Sequence, residues 1–236
     1  FFRKIGTEKY NLRKIMRNLK LFDIFWRSYD KTNKDVLSWL DKHSKDKFFL
    51  FIHYFDLHGD TYGKLNNKDR GEFKLANYDE NVKLIDKAIG EVINKLKQLN
   101  VFDDTLFIIT ADHGEDLNEN MGKTGHGRNI TEDEFRIPCI LYKKDLIPTK
   151  IINELTRSID LFPTILDILG INFNFKIDGV SVKKTIFQDT NLVNEIFLES
   201  YPLYGDIKGL RTKDWLYRLY DGQNEELYDI KNDNKF

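Results

Sequence analysis

The stretch Asp79–Glu115, DENVKLIDKAIGEVINKLKQLNVFDDTLFIITADHGE, decides how the rest of the chain is read. Val82, Ile85, Ile89, Val92, Ile93, Leu96 and Leu99 recur at three- and four-residue steps, the spacing of a helix with one apolar face. Asn100 ends that periodicity. Thr105–Thr110 (TLFIIT) then reads as a strand buried on both faces. Upstream, Lys47–Tyr54 (KFFLFIHY) carries the same continuous apolar pattern. Strand, long helix, strand is a βαβ unit, so the two strands are expected to run parallel with a right-handed crossover.

Working outward, residues 1–45 read as two helical stretches rich in Lys and Asn. Ile137–Tyr142 reads as a third strand, with Cys139 as a thiol in its core. Ser158-Ile159-Asp160 caps a helix that passes through Pro163 and stops at Gly170. Beyond about residue 190 the pattern changes. Glu195–Glu199, Gly209–Arg211 and Trp215–Tyr220 look like short antiparallel strands joined by turns. The expected architecture is α/β, a largely parallel sheet flanked by helices, with a small C-terminal antiparallel sheet. Three parts follow: a helical segment over 1–47, the α/β core over 48–190, and the small subdomain over 191–236.

Composition excludes several classes of function. With 18 Phe and 11 Tyr, the 236-residue chain has the apolar content for a real core. Its 37 Lys and Arg nearly cancel 38 Asp and Glu, so no global field draws it to nucleic acid. The basic run Arg3–Lys20 spaces Leu12, Ile15, Met16 and Leu19 as a solvated helix would. No apolar stretch reaches the length of a membrane helix. The single cysteine cannot close an internal disulfide. Compartment is not legible.

Chemistry concentrates where the chain leaves the TLFIIT strand. In an open α/β sheet, ligands sit beyond the carboxyl ends of the strands. Asp112 and His113 occupy that position, and Gly114 permits a tight bend that turns a carboxylate and an imidazole onto one divalent ion. As an isolated triplet, Asp-His-Gly is equally a turn cap. His126 lies between Gly125 and Gly127, which let the backbone approach a ligand and leave the imidazole accessible. Lys123 offers a second cation, or is an ordinary surface lysine. His53, Asp56 and His58 form a third cluster at the end of KFFLFIHY. If the strands are parallel, His58, Asp112, His113 and His126 converge on one crevice.

FLFIHYFDLH, the helix-strand stretch ending in TADHGE, then GHG, RIPCILY, SIDLFPTILDILGI, DGVS, GLRTKDWLYRL and ELYDIKND resemble, in order, the C-terminal half of bacterial and archaeal sulfatases. The likeness covers about residues 48–232, and the TADHGE…GHG…RIP succession is specific to the alkaline-phosphatase-like superfamily. It implies that fold, and hydrolysis of sulfate esters when the protein is full length. It implies that Asp112 and His113 are metal ligands and that His58 contacts the sulfate or phosphate group. His126 falls where the family places a Lys or His that stabilises the leaving oxygen, with Lys123 and His58 also facing the substrate. His53 would orient the loop.

Two departures stand out. The family's HYxDPHxPY is HYFDLHGDTY here, with Leu57 and Asp60 where prolines are usual. The family's nucleophile motif, C/S-x-P-x-R, has no counterpart in residues 1–47, so a formylglycine is expected in an upstream segment and residues 1–236 alone are expected to be inactive. Asp56 and His58 are two residues apart, whereas dinuclear zinc relatives space their Asp and His by four. One divalent ion is therefore expected: Ca²⁺ first, with Mg²⁺ on the same oxygen-ligand grounds and Mn²⁺ or Zn²⁺ favoured by the imidazole. Expected substrates are small-molecule or glycan sulfate or phosphate esters. Three readings are open: part of a sulfatase, a phosphodiesterase, phosphonate hydrolase or phosphotransferase on the same scaffold, or a non-catalytic sulfatase-like domain.

Overall fold

The computed structural model describes residues 27–58, 75–117, 124–127, 129–200 and 206–232. The first expected helix, near Arg3–Lys20, lies outside them. The chain divides into two compact units, Phe1–Asp103 and Asp104–Phe236.

In the first unit, α1 (Tyr29–His43) packs against α2 (Leu75–Gln98). The apolar stripe of α2 buries Ile85, Ala88, Val92 and Leu96, and α1 supplies Val36 and Leu40, the latter fully buried. Val82, placed on that stripe by spacing alone, is 41 % exposed. One polar side chain fastens the pair. Asn33, 2 % exposed, donates to the Ala88 carbonyl (2.9 Å) and to Glu91 Oε2 (2.8 Å), and accepts the Tyr54 hydroxyl (2.5 Å). A buried amide with its donors and acceptor paired ties both helices to the extended 47–55 segment without a desolvation cost. Burial, then the nearby Glu91 and Asp56 charges, push the Tyr54 phenol up to about 12. Helix α2 ends as its sequence indicates. Asn100 takes φ 57°, the left-handed conformation that commonly closes helices.

Lys47–Tyr54 corrects an expectation. It is extended but forms no strand among the described residues, and Phe49 and Phe51 are 81 % and 77 % exposed. An apolar run becomes a buried strand only when neighbours supply ladder partners and cover its faces, and no described residue does so.

In the second unit, β1 (Phe107–Thr110) pairs with β4 (Cys139–Tyr142), in register from Phe107 opposite Tyr142 to Thr110 opposite Cys139. The pairing is antiparallel, so the largely parallel sheet expected from βαβ logic is not what these residues form. Cys139 is exposed rather than a core thiol, as are Ile140 (56 %) and Tyr142 (39 %), because β4 has β1 on one edge and nothing described over this face. After β1, two strands of two residues each, β2 (Asp116–Leu117) and β3 (Thr124–Gly125), pair antiparallel. The short helix α3 (Glu132–Phe135) then leads into β4.

The helix expected from Ser158 begins as a 3₁₀ turn (Ser158–Asp160) and continues as α4 (Leu161–Ile168). Asp160, 1 % exposed, organises it: its carboxylate accepts the Arg157 amide and guanidinium and the Val180 amide (2.9 Å). Thr164 Oγ1 donates to the Asp160 carbonyl and accepts the Val182 amide, which carries the chain into α5 (Lys183–Gln188).

The C-terminal sheet is a four-stranded antiparallel meander: β5 (Glu195–Glu199), β6 (Ile207–Thr212), β7 (Trp215–Tyr220) and β8 (Asn224–Asp229). Its core joins Ile207 and the fully buried Leu216 to Ile130, with Phe135, Leu198, Tyr220, Tyr228 and Ile230 around them. Ile130 reaches this core because Gly209 lacks a side chain there; a Cβ would meet Ile130 Cγ2 at 3.1 Å. Among the described residues, no helix is long and apolar enough to cross a membrane. Leu216→Ala is expected to cost about 2–5 kcal/mol, read as a lower urea midpoint at unchanged slope.

Candidate metal and leaving-group site

At the end of β1 the chain turns sharply, and the turn has no room for a side chain at Gly114. A Cβ there would stand 1.9 Å from the Asp133 carbonyl oxygen. The Gly114 amide instead donates to the Glu134 carbonyl at 2.7 Å. That contact holds Asp112 and His113 beside α3. The Asp112 carboxylate, 77 % exposed, accepts the His113 amide at 3.1 Å and places Oδ2 3.8 Å from His113 Nε2. His113 Nδ1 lies 2.7 Å from the Gly114 carbonyl oxygen. A neutral imidazole that donates Nδ1–H to a carbonyl presents Nε2 as a lone pair, the form a metal requires.

His126 comes from the far side of the hairpin. Its ring centroid lies 3.8 Å from that of His113, the planes tilted by 31°. Its Nδ1 pairs with Glu115 Oε2 at 2.9 Å, and the Glu115 side chain is only 9 % exposed. Gly127 extends the anchoring, its amide donating to Glu134 Oε2 at 2.5 Å. Glu134 thus binds one loop through its carbonyl and the other through its carboxylate.

These groups fit a divalent ion. Ligand atoms each about 2.0–2.5 Å from one ion lie roughly 3–4 Å apart, and Asp112 Oδ2 and His113 Nε2 meet that condition at 3.8 Å. A second donor set, His113, Glu115 and His126, has its ligand atoms within 4.8 Å of one another. His113 is common to both.

Of the residues singled out in the sequence, Asp112, His113 and His126 are brought together. Lys123 lies outside the described residues. His58 belongs to the first unit, where its amide donates to the Phe55 carbonyl (3.1 Å) and its ring stacks on Phe55 at 4.7 Å. Exposed His53 packs its ring edge-on to Phe55, 5.8 Å away. Asp56 accepts the Tyr29 amide through its carboxylate and the Asn81 side chain through its carbonyl. Glu115 and Glu134 were not singled out. Glu115 stands inside the TADHGE motif, one step past the bend, and that proximity was its available signal. Nothing local marks Glu134.

The family model for sulfatases, described as Sulfatase, matches residues 6–171. The chain belongs to the sulfatase family. Among the relatives of this sulfatase chain is the N-acetylglucosamine-6-O-sulfatase of Bacteroides thetaiotaomicron, 28 % identical over 191 residues, covering 74 % of this chain and 33 % of the relative. Of solved structures, BT4656 in complex with its substrate D-glucosamine-2-N,6-O-disulfate superposes with a TM-score of 0.58 at 24 % identity, covering 67 % of this chain and 34 % of that one. The phosphonate monoester hydrolase of Silicibacter pomeroyi gives 0.59 at 26 %, covering 67 % and 35 %. The fold is accordingly the alkaline-phosphatase-like one of these neighbours. The chain spans about a third of the length of each of these relatives.

Gly114→Ala in this sulfatase chain is expected to displace the Asp112–His113 bend from α3 and to cost about 2 kcal/mol or more, on the scale of overpacking a tight site. Equilibrium urea unfolding of the variant against the native chain measures it.

Proposed function

We propose that the protein carrying this chain hydrolyses sulfate esters, with sulfated sugars as the substrate class. The observation that carries this reading is the meeting of His113 and His126, with Asp112 alongside, in a chain that matches the sulfatase family over most of its length. The sugar preference is supported by the named activity of the N-acetylglucosamine-6-O-sulfatase relative and by the disulfated glucosamine bound to BT4656.

In this reading Asp112 and His113 hold one divalent ion, and Glu115 does not. Asp112 is largely exposed and free to turn onto an ion, whereas Glu115 is nearly buried and engaged with His126. A divalent ion bound there would screen the negative ester oxygens; Ca²⁺ is the first candidate, with Mn²⁺, Mg²⁺ and Zn²⁺ to be compared. His126 serves the departing oxygen. Its Nδ1–H is held by Glu115, which aims Nε2 outward and stabilises the protonated ring before Nε2–H passes its proton to the departing oxygen and the ring returns to neutral. His58 and Lys123 keep the sulfate-facing roles that the resemblance to the family implies. The nucleophile, a formylglycine, comes from a segment outside residues 1–236, which hold no C/S-x-P-x-R motif.

A second reading, a phosphonate or phosphodiester hydrolase, is favoured by the Asp-His pair itself and by the likeness to the Silicibacter enzyme. The same chemistry of screening and leaving-group protonation serves both esters.

The test uses the full-length gene product with glucosamine 6-sulfate, an aryl sulfate and an aryl phosphonate monoester. Expected are hydrolysis of the sugar sulfate, loss of it on chelation and return of it with one divalent ion. Phosphonate hydrolysis outpacing both sulfates would select the second reading. His126→Ala is expected to lower kcat about 10²–10⁴-fold on the sugar sulfate, and much less on an aryl sulfate whose leaving group needs no proton. The purified 236-residue chain is expected to show no turnover, and measurable hydrolysis by it would contradict the assignment of the nucleophile to another segment.

A further inference from the structure

Both halves of the site are held by one short element outside it. Glu134, 7 % exposed, gives its carbonyl to the Gly114 amide at 2.7 Å and its carboxylate to the Gly127 amide at 2.5 Å. Gly114 follows His113 and Gly127 follows His126, so each histidine sits one residue from a bond to the same side chain or its backbone. A charged acceptor on a backbone N–H in a nearly dry setting is among the stronger hydrogen bonds available to a protein.

Helix α3, with a single turn, has no stability of its own. It is anchored from the C-terminal sheet. Glu132 Oε1 accepts Arg211 Nε of β6 at 2.8 Å, with side chains only 16 % and 11 % exposed. Arg218 of β7 donates to the Ile130 carbonyl at 3.2 Å, and Ile130 and Phe135 pack into the core of the sheet. The path from β6 to His113 and His126 is thus Arg211, Glu132, Glu134, and then the two glycine amides.

We infer that α3 is a clamp that sets the spacing of His113 and His126, with Glu134 as its positioning residue and the C-terminal sheet as its anchor through Arg211. Glu134 acts through the backbone amides of Gly114 and Gly127. It fixes two loops that also meet through the β2–β3 hairpin and the His126–Glu115 pair. The C-terminal sheet therefore supports the site mechanically through Arg211. This rests on the metal reading above only for the second of its two measurements.

The first measurement is made on the metal-free 236-residue chain by NMR. In Glu134→Ala, the contacts between the His113 and His126 ring protons are expected to vanish and the Gly127 amide to lose its downfield shift, while contacts within the β5–β8 sheet persist. Glu134→Gln keeps the shape but not the charge, and is expected to move the same amides by a smaller amount; it decides the matter if Glu134→Ala does not fold. Arg211→Ala is expected to reproduce the ring separation, and Arg211→Lys to restore part of it. Unchanged inter-ring contacts in folded Glu134→Ala or Glu134→Gln would overturn the clamp.

The second measurement titrates Co²⁺ by its visible absorption. Native chain is expected to bind it, and Glu134→Ala to bind about 10- to 100-fold more weakly, the usual cost of losing an outer partner of a metal site. Native-like affinity in a folded Glu134 variant again counts against the clamp. Failure of the native chain to bind Co²⁺, with ring contacts still lost in Glu134→Ala, would sink the metal reading and leave the clamp standing.

Discussion

The hydrogen bond from Gly114 to the Glu134 carbonyl is the constraint on which the second unit's geometry depends. It exists only because the bend after β1 carries no side chain, so that backbone meets backbone at 2.7 Å. Once it forms, α3 cannot sit elsewhere. Phe135 and Ile130 are delivered to the C-terminal core, Glu132 comes into reach of Arg211, and the Glu134 carboxylate faces Gly127. The same residue that lets Asp112 and His113 turn outward thus also determines where a sheet about a hundred residues further along finds its packing surface. Stability and site geometry are coupled through that contact, which is the usual arrangement where a functional loop is fixed by neighbours rather than by its own propensity.

Much of this was legible in the sequence where local physics decides. The three- and four-residue spacing from Ile85 to Leu96 gave α2, and Asn100 closed it with a left-handed residue. Alternation and turns after residue 190 gave three of the four meander strands. The fourth, Asn224–Asp229, was missed because NEELYD carries three acids and an Asn, with low strand preference of its own; it is a strand because β7 offers it a ladder from Trp215 to Tyr220. What the sequence could not supply is partnership. KFFLFIHY and RIPCILY have the composition of buried strands, yet Phe49, Phe51 and Ile140 are exposed, because burial is a property of neighbours as much as of the residue.

The candidate site shows the same division. Asp112, His113 and His126 were found because a strand end, a glycine and an imidazole each carry a local signal. Glu134 was invisible because its importance lies in two amides, at Gly114 and Gly127, to which it bonds across separations of 20 and 7 residues. Glu115 was intermediate. It stood in the motif, but pairing with His126 depends on the hairpin that folds residue 126 back over residue 115.

Electrostatics supplies the last step. Asp112 and Glu115 are both carboxylates within a residue or two of His113. A sulfate ester is itself an anion, and two fixed negative charges beside its site would oppose its approach. Burial of Glu115 strengthens the repulsion, since little water screens it. For the proposed anionic ester to bind, such a site needs added positive charge, and a divalent cation held by Asp112 and His113 would offset both carboxylates at once. The acidity that opposes an anionic substrate in the bare protein therefore supports the proposed metal: a divalent cation held by Asp112 and His113, with the Glu115 carboxylate beside it, would leave the site little net charge, and selectivity for the ester would fall to the geometry that His113 and His126 impose.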